Sequence, residues 1–142
     1  MKLAVDSSAF AKRYVNEIGS DQLYQILQNA LDLALCVIVI PEIISGLNRR
    51  KREGFLSQEN YNLAKKHLLN DVRDTTILQI TPSVVLHSIK LLEINTLRAM
   101  DAFHIACALE WKADLFVTSD KKQFEAAVNS GITSEFVGQQ VH

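Results

Sequence analysis

Short apolar runs that stop at a carboxylate or a hydroxyl alternate along this chain with segments of helical spacing. Leu3-Ala4-Val5 ends in Asp6-Ser7-Ser8, and Phe10, Ala11, Tyr14 and Val15 then recur at helical intervals, which predicts a strand followed by a helix. Gly19-Ser20-Asp21 restarts a helix whose apolar positions are Leu23, Ile26, Leu27, Ala30 and Leu31. The unbroken run Leu33 to Ile40 predicts a second, buried strand. Pro41 marks its end and suits the first turn of a helix, where the N–H it lacks would be unpaired anyway. That helix continues through Ile43, Ile44 and Leu47 and finishes in Arg49-Arg50-Lys51-Arg52 before Gly54. Ser57 caps an amphipathic helix carrying Tyr61, Ala64, Leu68 and Leu69, and polar residues Asn70 to Asp74 lead to a third strand, Thr76 to Ile80. Pro82 opens a helix to about Leu92, and Asn95 or Thr96 caps a long one through Lys112. A fourth strand follows at Leu115 to Thr118, then a helix from about Lys121 to Asn129, Gly131 as its stop, and a weak fifth strand near Glu135 to Val137.

This alternation predicts an α/β fold with a parallel sheet, in which ligands bind beyond the carboxyl ends of the strands. Asp6, Glu42 and Asp120 each follow a predicted strand directly. Asp101 reaches the same rim by a directional argument. Only Ala113-Asp114 separates its helix from the fourth strand, so the helix ends at that strand's amino edge and begins at the opposite one.

A length of 142 residues and a hydrophobic fraction of 48% suit a single domain, residues 1–142, with a real core. The longest apolar run is too short to span a bilayer, and Asp6 interrupts the N-terminal stretch before a secretory h-region forms, so a cytoplasmic protein is expected. Cys36 and Cys107 show no metal-ligand spacing and read as small buried hydrophobes. A net charge of -1 excludes a globally cationic protein that attracts nucleic acid from a distance, while leaving room for a local basic patch.

Four carboxylates packed at one rim would repel, and some would be forced to protonate. A hard divalent cation, Mg²⁺ or Mn²⁺, resolves this with oxygen ligands, and no His or Cys set argues for zinc. Such a site suits hydrolysis of a phosphodiester in nucleic acid. Each acid also has a local explanation. Asp6 and Asp120 can cap helices, and Glu42 can favour a helix N-terminus. Asp101 lies in the apolar stretch Leu97 to Ala106, where a carboxylate is costly unless paired, and Arg98 three residues earlier can supply the pair. Coincidence of all four at one edge favours a functional site.

His104, one turn beyond Asp101, reads as a core residue or a support for the acids rather than a general base. Lys12 and Arg13, which follow Asp6 closely, are favoured over Arg49 to Arg52 and over Lys121 and Lys122 as contacts for nucleic-acid phosphates. Tyr14 and Trp111 can stack bases, with core packing preferred for Trp111.

The ordered set Val5-Asp6-Ser7-Ser8-Ala9, Pro41-Glu42, Arg98-Ala99-Met100-Asp101-Ala102-Phe103-His104 and Thr118-Ser119-Asp120 resembles PIN-domain ribonucleases, in particular the VapC-like toxins of toxin-antitoxin pairs. The resemblance implies a three-layer α/β/α domain with parallel strands in the order 3-2-1-4-5 and an Mg²⁺- or Mn²⁺-dependent endoribonuclease. Asp6, Glu42 and Asp101 would be the principal metal-site acids and Asp120 the fourth. Ser7, where the family more often has Thr, and Thr118 would support them. It further implies an RNA substrate, a small antitoxin lying along an apolar groove, and a homodimer. Two other readings stand beside it. One is a catalytically idle PIN-like module that binds RNA or protein. The other is a haloacid dehalogenase-like phosphatase using Asp6, which is weak because Ser8 stands where that family has a second Asp.

Overall fold

The computed structural model of the chain describes residues 1–138. Its elements run β1 (Lys2–Val5), α1 (Ser7–Phe10) with a 3-10 turn at Ala11–Arg13, α2 (Ser20–Gln28), β2 (Asp32–Cys36), α3 (Val39–Arg52), α4 (Gln58–Arg73), β3 (Thr76–Leu78), α5 (Pro82–Ile94), α6 (Ala99–Trp111), β4 (Leu115–Thr118), α7 (Lys121–Asn129) and β5 (Ser134–Phe136). All strand pairs are parallel and the sheet order is β3-β2-β1-β4-β5, as the resemblance implied. β1 is central, with Leu3 in register with Leu33 on one side and Leu115 on the other.

The strand residues alternate between two cores. Leu3, Val5, Leu35 and Val117 pack against α1 to α4 through Phe10, Leu23, Val39, Leu47 and Leu68. Ala4, Cys36 and Phe116 pack against α5 to α7 through Val84, Leu91, Ile105, Ala106 and Ala127. A sheet covered on both faces reads as continuous apolar runs, and this makes three layers, α/β/α. Among the described residues no helix is long and apolar enough to cross a membrane.

Several expected boundaries shift. The second strand stops at Cys36, and Val39 and Ile40 form the first turn of α3, with the Glu42 N–H donating to the Ile38 carbonyl. Val39 is fully buried, so strand end and helix start share one apolar run that periodicity cannot divide. The polar stretch after Leu69 is the last turn of α4 and stays helical to Arg73, with Asn70 and Arg73 exposed and Val72 packed on the core, while β3 begins at Thr76 as expected and stops early, at Leu78. α5 runs on to Ile94, so Asn95 closes it and Arg98, not Asn95 or Thr96, stands at the N-cap of α6. The first helix is a single turn followed by the 3-10 turn, and Tyr14 and Val15 lie beyond it. Trp111 is only partly buried, at the far end of α6, with the Lys2 ammonium 4.2 Å from its ring centre.

Candidate active site

The carboxyl edge of the sheet is built outward from Asp6. As the residue between β1 and α1 it caps the helix, its Oδ1 accepting the Ala9 N–H at 2.9 Å. Capping does not exhaust it. Thr118 Oγ1 donates to Oδ2 at 2.5 Å, and Ser8 Oγ lies 2.8 and 3.0 Å from the two oxygens. Asp6 is only 2% exposed, and burial pushes its carboxyl above the ordinary 3.8 despite the nearby His104 charge and these donors.

Glu42, in the first turn of α3, is held from two sides. Ser7 Oγ donates to its Oε1 at 2.6 Å, and His104 Nε2 donates to the same oxygen at 2.6 Å. Burial alone would raise the Glu42 pKa. The His104 and Ser7 hydrogen bonds and the imidazole charge outweigh that, and the carboxyl falls below its ordinary 4.5. His104 is raised above 6.5, since the bond to Glu42 and the charges of Asp6, Cys36 and Glu42 overcome its desolvation. Its Nδ1 is buried without a hydrogen-bond partner. The ring's hydrogen bond goes to Glu42, and its charge when protonated favours the ionised form of both Glu42 and Asp6.

Asp120 caps α7 by accepting the Gln123 N–H at 2.9 Å, and its own N–H donates to Thr118 Oγ1 at 3.0 Å. Thr118 thus joins Asp6 to Asp120. Asp101 opens α6 and its side chain is 17% exposed. Arg98 reaches it at 3.4 Å but is itself 85% exposed, so their pair is a surface contact of little worth and does not explain a carboxylate in so apolar a helix. Two clefts flank these acids. One, of about 450 Å³, is lined by Ser7, Ser8, Glu42, Gly46, Arg49 and Arg50 among others. The other, of about 540 Å³, is lined by Thr96, Leu97, Arg98, Asp101, Asp120, Lys121 and Lys122.

All four acids stand at the same edge, and in kind they are the hard oxygen donors that Mg²⁺ or Mn²⁺ prefers. They do not form a closed chelating set. Among the described residues no three His, Cys, Asp or Glu side chains are placed to hold one metal ion together. The reason lies in the contacts above. Glu42 is turned onto Ser7 and His104, and Asp6 onto Thr118, Ser8 and a backbone N–H.

The two cations favoured from the sequence point inward. Lys12 is 7% exposed, donating to the Ile18 carbonyl at 2.7 Å and to Glu17 at 3.2 Å. Arg13 makes a two-point pair with Asp71 of α4, at 2.7 and 3.2 Å, and Tyr14 donates to the same carboxylate at 2.7 Å. Arg49, Arg50, Lys121 and Lys122 face the clefts instead. Ser8 is the residue sequence reasoning passed over. Its signal was the hydroxyl two places after a capping Asp, where it turns back onto that carboxylate and also accepts the Ser119 N–H at 2.9 Å.

The fold is that of several solved structures. FitAcB from Neisseria gonorrhoeae superposes with a TM-score of 0.71 at 15% identity over 93% of this chain and 95% of that one. VapC20 from Mycobacterium tuberculosis, described as a sarcin-ricin loop cleaving toxin, gives 0.68 at 15% over 92% and 96%. VapBC-1 from nontypeable Haemophilus influenzae gives 0.66 at 19% over 96% and 98%. At such identities the likeness is one of fold. No curated protein sequence matches the chain. The sequence model of the PIN domain, however, matches residues 3–129, from β1 through α7, and on that match the chain belongs to the PIN domain family.

Proposed function

We propose that this chain is a metal-dependent endoribonuclease, using Mg²⁺ or Mn²⁺, and the toxin of a toxin-antitoxin pair. The observation that carries the reading is Asp6, a carboxylate 2% exposed at the end of the central strand and raised in pKa by burial, with Glu42, Asp101 and Asp120 at the same edge. A cap on a single helical turn does not require so costly a burial. Asp6, Glu42, Asp101 and Asp120 would hold the ion. When bound, such an ion supplies a water of lowered pKa and offsets charge on the phosphodiester. The chain's own part is to aim the acids: Thr118 and Ser8 orient Asp6, while Ser7 and His104 fix one oxygen of Glu42. RNA would enter along the two clefts, its phosphates meeting Arg49 and Arg50 on one side and Lys121 and Lys122 on the other.

Two partners follow from this reading. A small antitoxin suits the groove of about 400 Å³ between the 3-10 turn and α4, where Phe55 and Leu63 remain 75% and 60% exposed. A second copy suits the exposed apolar face of α5, with Leu86 68% and Ile89 49% exposed. The competing reading, a PIN-like binding module without activity, draws on the absence of an assembled chelating set among the described residues. RNA cleavage decides between them. Wild type cleaves in Mg²⁺ or Mn²⁺ and stops in EDTA, and Asp6→Asn and Asp101→Asn do not cleave. Equal cleavage by wild type and both variants, or none by any of them with folding intact, removes the nuclease proposal.

A further inference from the structure

Sequence spacing offered no link between the two cysteines, yet the fold brings them together. Cys36 closes β2 and Cys107 lies in α6, and their sulfurs are 3.6 Å apart across a separation of 71 residues. Both are free thiols, 3% and 2% exposed, in one core cluster. A disulfide has an S–S length of about 2.05 Å, so the sulfurs need approach by only about 1.5 Å. We propose that Cys36 and Cys107 form an oxidative modification site, which a hydroperoxide converts into an intramolecular disulfide.

The two sulfurs are not equivalent. Cys107 S–H donates to Cys36 Sγ, and that bond above all draws the Cys36 thiol down to about 7 while the Cys107 thiol is pushed up. Cys36 is the nucleophile and Cys107 the resolving thiol. The Cys36 thiolate attacks one oxygen of hydrogen peroxide, the O–O bond breaks, and the departing hydroxide takes up the proton that Cys36 gave up and leaves as water, giving a sulfenic acid. The Cys107 sulfur then attacks the Cys36 sulfur, the S–O bond breaks, and the hydroxyl leaves with the Cys107 proton as a second water. Two thiols are oxidised and one peroxide is reduced. Both sulfurs are buried, which rules out a bulky disulfide as the oxidant and confines the proposal to one as small as hydrogen peroxide.

The position couples the bond to the candidate active site. Cys36 precedes α3, the helix of Glu42, by three residues, and Cys107 follows His104 by three on α6. The disulfide therefore ties the same two segments that the His104–Glu42 contact already joins. The inference rests on the sulfur geometry and stands whether or not the chain cleaves RNA.

The test treats the full wild-type chain with hydrogen peroxide, then unfolds it, alkylates the remaining thiols, and reads masses and a non-reducing gel. Both thiols disappear together in a monomer that has lost two hydrogens, Tm rises because a long loop is closed, and dithiothreitol reverses both changes. In Cys107→Ser, whose hydroxyl keeps a donor to Cys36 but cannot resolve it, Cys36 passes on to the sulfinic acid. Two alkylatable thiols remaining after peroxide exposure that oxidises a small free thiol overturns the proposal. So does a disulfide between two chains, or a wild-type Cys36 sulfinic acid beside a free Cys107.

Discussion

Thr118→Val tests how the carboxyl edge is held together while leaving the packing nearly unchanged. Valine has the shape of threonine, and position 118 is fully buried, so no cavity opens. What disappears is one hydroxyl with two duties. It donates to Asp6 Oδ2 at 2.5 Å and accepts the Asp120 N–H at 3.0 Å. A hydrogen bond to a charged group contributes about 1.5–3 kcal/mol, and the partly buried Asp120 N–H, left without its acceptor, adds up to about 1 kcal/mol. The expected loss is therefore about 1.5–4 kcal/mol, a large share of a total near 5–15 kcal/mol. Thr118→Ser, which keeps the hydroxyl and loses a methyl, costs only about 1 kcal/mol. Urea unfolding at pH 7 measures all three proteins. The effect also depends on pH. Asp6 has a folded pKa above its ordinary 3.8, so the native state holds its proton longer than the unfolded chain, and its contribution to stability falls as pH rises through that interval. Removing the Thr118 donor raises the folded value further. The gap between variant and wild type then opens as pH rises and closes in acid. A Thr118→Val protein within about 0.5 kcal/mol of wild type at neutral pH would refute the reasoning, since buried donors are expected to count for more than that.

Three further outcomes follow from the same geometry. The Glu42 share of the His104 pair is present above pH 4.5 and lost as pH falls through its depressed folded value; the His104 share is whole below pH 6.5 and lost as pH rises through its raised one. The stability difference between wild type and His104→Asn in metal-free buffer should therefore peak between these values, and a flat difference across pH 3 to 9 (roughly the range where carboxylates and imidazoles titrate) counts against the pair. Replacing Arg49 and Arg50 together by Ala should weaken RNA binding in fluorescence polarisation and lower its salt slope by roughly 1.4 if each holds one phosphate of a single strand; Lys12→Ala should leave that slope unchanged, and the reverse pattern would restore the inward-facing cations as the RNA contacts. Gly19 has φ +98° and a Cβ there would stand 2.7 Å from the Gly138 nitrogen, so Gly19→Ala should cost at least about 1–2 kcal/mol and lower Tm by several degrees, whereas an unchanged Tm shows that this crossing can open freely.

Much of this protein follows from neighbours in sequence. Leu3-Ala4-Val5 before Asp6, the two-residue link Ala113-Asp114, and the caps at Ser57 and Asp120 are short-range signals, and they suffice for a parallel α/β chain with its acids at one edge. Strand ends were less legible. Val39 is as buried in the first turn of a helix as it would be in a strand, and Ile40 is partly buried beside it, so their apolar character carries no boundary. Which groups touch was decided by tertiary packing alone. Lys12 and Arg13 read as free cations near the acids until Glu17, Ile18 and Asp71 claim them. His104 becomes the partner of Glu42, and Cys36 meets Cys107, only because α6 lies across the end of β2. Propensity and periodicity act over a few residues, whereas a hydrogen bond or a sulfur contact depends on where helices and strands far apart in the chain come to rest, and that is set by the packing of both faces of the sheet together.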